Sequence, residues 1–310
     1  MYFHKLLFIA CLLWPSFTKD MLIVVNFQND FLVGGPMGKE DKVENITEER
    51  EVISHLQILI DQFQDDQIVL TRDSHPENHI SFLSRHIREN QGNEKILKFL
   101  GESFNRQDIK DVNIIYDKNS LLERDYNQEK IIKMNYLEKF FDFDSETQLQ
   151  KNIYLFPDHC ISNTPGSEIQ EDVENSLEEA ETGHGDIAEY LLGTQPNVES
   201  LSLVNDVVER ENEDFIEQIR EDEISRVFLT GVFTEYTVLN TALDLIKVYS
   251  DLEVFIIEDA TISFLKRSEV IQGIKDLDTK IKFATFEQVK EAKRNGHRAR
   301  LRARTFRRLL

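Results

Sequence analysis

A chain of 310 residues, 40% of them hydrophobic, can bury one large core or two small ones, and a single elaborated domain is the simpler expectation. Its formal charge of -21 argues against non-specific nucleic-acid binding by the body of the protein, because phosphate repels such a surface. Only Cys11 and Cys160 are present, so there is no disulfide framework to read.

Residues 1–20 join a short basic start to an apolar run that stops near Pro15, a length typical of a signal peptide and short for a membrane span. The segment reads as a signal peptide, implying the secretory pathway. The alternative is an N-terminal extension of a cytoplasmic protein, with Met21 as a second candidate start. The sequon Asn45-Ile46-Thr47 matters only in the first case. From Leu22 to Phe27 the apolar run predicts a buried strand, and Gly34-Gly35-Pro36 marks a loop after it. Val52, Ile53, Leu56, Ile58, Leu59, Ile60 and Phe63 have helical spacing and predict a helix over 49–63. Further strands are expected at 68–70, 153–156, 187–192, 226–230, 252–257 and 281–284, and helices at 206–220, 235–249 and 267–277. This alternation predicts an α/β fold with a central, mostly parallel sheet covered on both faces. The predicted domain runs over 21–290 and carries a polar insertion at about 83–150, with helical fragments at 94–100 and 129–141. The acid-rich stretch Glu168 to Glu181 reads as a solvated face or mobile loop.

Two motifs carry the chemistry. Val69-Leu-Thr-Arg-Asp73-Ser-His75-Pro76-Glu-Asn-His79 and Phe156-Pro157-Asp158-His159-Cys160 each put ligand-type side chains directly after an apolar run. That is where open α/β sheets place their sites. Asp73 and His75, two residues apart, can reach one cation from a tight turn, and His159 completes a three-ligand set with positions left open. The competing reading has Asp73 capping a turn and the histidines bonding locally.

Four stretches resemble the isochorismatase-like hydrolases, nicotinamidases in particular: Leu22 to Phe31 with Gly34-Gly35, Thr71 to Phe82, Pro157 to Glu168, and Thr230 to Asp244. The resemblance implies a three-layer α/β sandwich and a divalent metal, zinc foremost, held by Asp73, His75 and His159, with His79 near it. It also implies a small amide or pyridine-type ligand and a tendency to form homo-oligomers. The family's catalytic Asp, Lys and Cys fall on Asn26, Leu192 and Thr237. None of these can act as the base or thiol that attack on an amide requires. Backbone N–H groups of Phe233 and Thr237 occupy the positions of the oxyanion donors, and Phe233 is bulkier than the family's usual residue. The expectation is a metal-binding pseudoenzyme. The alternative is an active hydrolase of a small amide such as nicotinamide, using metal-activated water.

Cys160, beside His159, invites a nucleophile reading, but its position matches a structural residue of the family, and buried free cysteine is usually inert. His4, His55, His86, His184 and His297 have no partner spacing. The arginine-rich tail over 291–310 departs from the acidic average. It is expected to meet an acidic partner, anionic lipid or RNA, to fold back on the body, or to serve only as a solubilising extension.

Overall fold

A computed structural model describes residues 19–39, 41–82, 84–85, 156–183, 187–196, 198–206, 210–277 and 279–295, together with the backbone of 104–105 and 152–153. Six parallel strands form the central sheet: β1 (Lys19–Val25), β2 (Gln67–Asp73), β5 (Ile187–Leu192), β6 (Ile224–Val232), β7 (Glu253–Ile262) and β8 (Lys282–Ala284). Their order is β5-β2-β1-β6-β7-β8. β1 is central and buried from Asp20 onward, which explains its unbroken apolar run: a strand covered on both faces has no solvent side to make polar.

Alternate residues of β1 serve two cores. Leu22 and Val24 face one core with Val52, Leu56 and Leu59 of α1 (Val43–Gln62), Val173 and Leu177 of α2 (Glu171–Gly183), and Phe286 and Val289 of a helix over 286–295. Met21, Ile23 and Val25 face the other with Phe215 and Ile219 of α3 (Glu213–Glu221), Ala242 and Leu245 of α4 (Leu239–Val248), and Ile271 and Ile274 of α5 (Arg267–Asp276). Each such side chain contributes roughly 1.5–3 kcal/mol on burial, so the two-sided packing fixes the register of β1. The result is the expected three-layer sandwich.

Several elements differ from the sequence reading. The described residues of the run 153–156 add no strand to the main sheet: Asn152–Ile153 (β4) pairs antiparallel with Phe104–Asn105 (β3), while Phe156 makes an isolated bridge to Phe82. α3 starts at Glu213, not at residue 206. Asp206 instead closes a turn with Arg210, and the Asn212 side chain caps the helix by accepting from the Phe215 N–H. The acid-rich stretch is helical over α2, because Val173, Leu177 and Ala180 supply a buried stripe among the acids. In α1 the periodicity overreaches at Ile58, which is exposed. The remainder of the insertion, including 94–100 and 129–141, lies outside the described residues, as do 1–18, 296–310, His4, His86, His184 and His297.

From β1 the chain builds outward through β2 to β5, then returns to lay β6 on the other side of β1. The carboxyl ends of β1 and β6 therefore bound the crevice where such sheets bind ligands. At the opposite end of the sheet, Asp20 accepts from Arg226 at 2.7 and 2.8 Å and from Lys293 at 2.9 Å. Lys293 also pairs with Asp66 and lies over the Phe63 ring, which fastens the helix over 286–295 to the sheet. Among the described residues, no helix is long and apolar enough to cross a membrane.

Candidate metal centre

Asp73 is the last residue of β2, and β5 pairs it with Leu192. Gln28, just past β1, holds the Asp73 backbone from both sides: Gln28 Oε1 accepts from its N–H at 2.8 Å, and Gln28 Nε2 donates to its carbonyl at 2.7 Å. The chain turns at Ser74 and delivers His75. The His75 N–H donates to the Cys160 carbonyl at 2.9 Å, and the His75 carbonyl accepts from Ser162 at 2.9 Å. This short ladder brings in His159, so a loop rather than a strand end of the main sheet positions it. Asp30 steadies the same loop by accepting from the Cys160 N–H at 2.7 Å.

Asp73, His75 and His159 form a buried group whose ligand atoms all lie within 4.8 Å of one another. The tautomers follow from the partners. His75 Nδ1 faces the Gly193 carbonyl at 3.0 Å and His159 Nδ1 faces the Pro157 carbonyl at 2.7 Å, so each of these nitrogens donates. In both rings Nε2 is left as the ligand nitrogen, an arrangement common in metal-binding histidines. His75 Nε2 is buried with no hydrogen-bond partner, and Asp73 Oδ2 at 3.5 Å gives it a charge contact only. One carboxylate and two imidazoles, one of them with its free nitrogen buried and unpartnered, fit a divalent cation.

A second group, His75, His79 and Glu199, shares His75 with the first. Its geometry suits a cation less well. His79 Nε2 donates to the Val198 carbonyl at 3.0 Å, so Nδ1 must accept from the Ser81 hydroxyl at 2.7 Å, and its lone pair is in use. The two rings stack with centroids 4.1 Å apart instead of converging on a point. His79 therefore lies beside the first group without joining it. Glu199 went unnoticed in the sequence, since one acid in a polar loop carries no periodic or spacing signal. Folding buries its carboxylate 3.8 Å from His79 Nδ1.

Electrostatics ties the cluster together. Burial works to keep His75 neutral, but Asp73 and Glu199 outweigh it and hold its pKa up at about 9. Burial pushes His79 down to about 4, with Glu199 opposing and the His75 charge assisting. His159 is lowered by burial and then by His75. Burial acts to raise Glu199, yet His79, then His75, and the Ser200 N–H bring it below the usual carboxylate range. Burial, helped by Asp73 and Asp30, pushes the Cys160 thiol far above its normal range, so it is no nucleophile.

A protein-family model described as the isochorismatase domain matches residues 207–284. The nicotinamidase of Saccharomyces cerevisiae is 25% identical over 224 residues, covering 72% of this chain and 79% of the yeast protein. These two matches support an isochorismatase-like family close to the nicotinamidases. The chain's fold is shared with the nicotinamidase/pyrazinamidase of Acinetobacter baumanii, with a TM-score of 0.57, 20% identity and coverage of 89% of this chain and all of that one. It is also shared with a zinc complex of the Pyrococcus horikoshii pyrazinamidase (TM-score 0.50, 23% identity, 86% and 99% covered). The yeast nicotinamidase has been solved with the inhibitor nicotinaldehyde (TM-score 0.55, 20% identity, 86% and 100% covered).

In this framework Asn26, Leu192 and Thr237 all lie at the carboxyl edge of the sheet. Asn26 follows β1 with φ 46°, a left-handed conformation that Asn tolerates. Its side chain bonds Asp73 and Thr71. Leu192 ends β5, buried in the apolar cluster that also holds Val25 and Val238. Thr237 is buried in a π-helical turn, Thr234–Val238, between β6 and α4. The Val232–Phe233 peptide that leads into this turn is cis. The Phe233 ring points inward, edge-on to Phe31 at 5.5 Å, and Phe31 in turn meets His159 at 5.4 Å.

Proposed function

We propose that this protein binds a divalent cation, zinc foremost, through Asp73, His75 and His159, and presents that site to a small pyridine- or amide-type ligand without running a thiol-dependent amidase reaction. The observation that carries this reading is the orphaned His75 Nε2, buried with Asp73 and His159 in one ligand group. When bound, the cation would supply a Lewis acid able to orient a pyridine nitrogen. The residues beside it supply little else for amide cleavage. Asn26 has no basic proton acceptor, Leu192 contributes only apolar surface, and the buried Thr237 offers a hydroxyl, a far weaker nucleophile than a thiol. Phe233 packs edge-on against Phe31, which itself meets His159, and so adds apolar ring surface on the approach to the metal group. The nicotinaldehyde complex of the yeast nicotinamidase supports a pyridine-type ligand.

The test is to purify the full chain, measure bound metal, and assay ammonia release from nicotinamide. One metal ion per chain and no ammonia are expected. Turnover in the ordinary enzyme range of about 1 s⁻¹ or more would overturn the loss of activity, and its abolition by Asp73→Ala would assign it to metal-activated water. A metal-free protein that cannot be loaded would overturn the site itself.

A further inference from the structure

The residue that replaces the family's acid has a partner of its own. Asn26 Nδ2 donates to Asp73 Oδ1 at 2.8 Å in a fully buried contact. The orientation of the amide is fixed twice over, because a carboxylate only accepts and the Thr71 hydroxyl donates to Asn26 Oδ1 at 2.5 Å. The Asn26 backbone is secured to the same strand, its N–H donating to the Thr71 carbonyl at 3.0 Å. With Oδ1 of Asp73 held, Oδ2 is the oxygen turned toward His75 Nε2.

We propose that Asn26 is a positioning residue for the metal centre, whose amide clamps one oxygen of Asp73 so that the other is aimed at the cation. This inference rests on the metal-binding reading above and deepens it. An acid at residue 26 would set two carboxylates against each other, and with leucine at residue 192 no cation from that position could separate them. The amide turns that repulsion into a hydrogen bond. The substitution therefore exchanges a base for a donor, trading amidase chemistry for a firmly held ligand.

Full-length wild type, Asn26→Gly and Asn26→Asp are stripped with a chelator and titrated with Zn²⁺, and Co²⁺ is loaded for visible spectroscopy. Glycine suits the left-handed backbone, and aspartate keeps the shape while removing the donor. Loss of an outer hydrogen bond of this kind typically weakens metal binding about 10–100-fold, and both variants are expected to fall in that range with an altered Co²⁺ ligand-field spectrum. Melting of the metal-free forms checks folding. If Asn26→Gly binds Zn²⁺ within twofold of wild type with an unchanged Co²⁺ spectrum, the positioning role is wrong while the metal site stands. If wild type binds no metal, the site reading fails and takes this inference with it.

Discussion

Gly193 and His75 are in contact so close that no side chain fits between them: a Cβ at residue 193 would stand 2.2 Å from His75 Cε1 and 2.4 Å from Nδ1. The same glycine accepts the His75 Nδ1–H at its carbonyl and has φ 62°, so it both admits the ring and sets its tautomer. Gly193→Ala should therefore strain the backbone and displace His75. Metal affinity is expected to drop by at least about 100-fold, read by zinc titration. Retention of wild-type affinity would mean that His75 is not a ligand.

The charge on His75 gives the metal-free protein a pH dependence. In the unfolded chain the imidazole titrates near 6.5, and in the fold near 9. A raised folded pKa stabilises the fold fully below the unfolded value, and the contribution is lost as pH rises through about 9; here it is on the order of 3 kcal/mol. His79, lowered to about 4, acts at the other end, costing stability as pH falls from about 6.5 toward 4. Melting temperatures in chelator should fall between pH 6.5 and 9.5. Zinc should remove most of that fall, because a coordinated His75 has no proton to lose. A flat chelator profile would show that His75 is not charged in the fold.

Restoring the family's residues should be a coupled problem. Leu192→Lys alone buries an ammonium in an apolar cluster and should cost several kcal/mol in urea denaturation. Adding Asn26→Asp provides a counter-charge, so the double variant should recover at least about 1 kcal/mol relative to additivity. Strict additivity would place the two side chains apart and remove Leu192 from the lysine position. With coupling present, the triple variant that adds Thr237→Cys should release detectable ammonia from nicotinamide.

Lys293 bonds the buried Asp20 and Asp66 from a helix that begins only after the last strand. Lys293→Met takes a cation from between two carboxylates, and although Arg226 still serves Asp20, a loss of about 3 kcal/mol is expected from denaturant melts. A change below about 1 kcal/mol would show that the pairing contributes nothing to anchoring this helix.

Apolar periodicity alone located the six strands of the sheet and most of α1, α4 and α5, because burial on two faces leaves a continuous or helical apolar pattern in the residues themselves. Asp73, His75 and His159 stood out for a similar reason, since ligand-type residues followed apolar runs. The sequence was silent where the decisive term was a contact between distant segments. His159 is placed by a loop ladder with His75, not by a strand of the main sheet, and α2 forms because Val173 and Leu177 find the sheet through a screen of acids. Glu199 acquires a role only once folding buries it against two imidazoles. Asn26 appears in the sequence merely as an absent acid. The fold makes it a donor, 2.8 Å from the carboxylate it serves, because hydrogen bonds depend on distance and direction that only the packed sheet supplies.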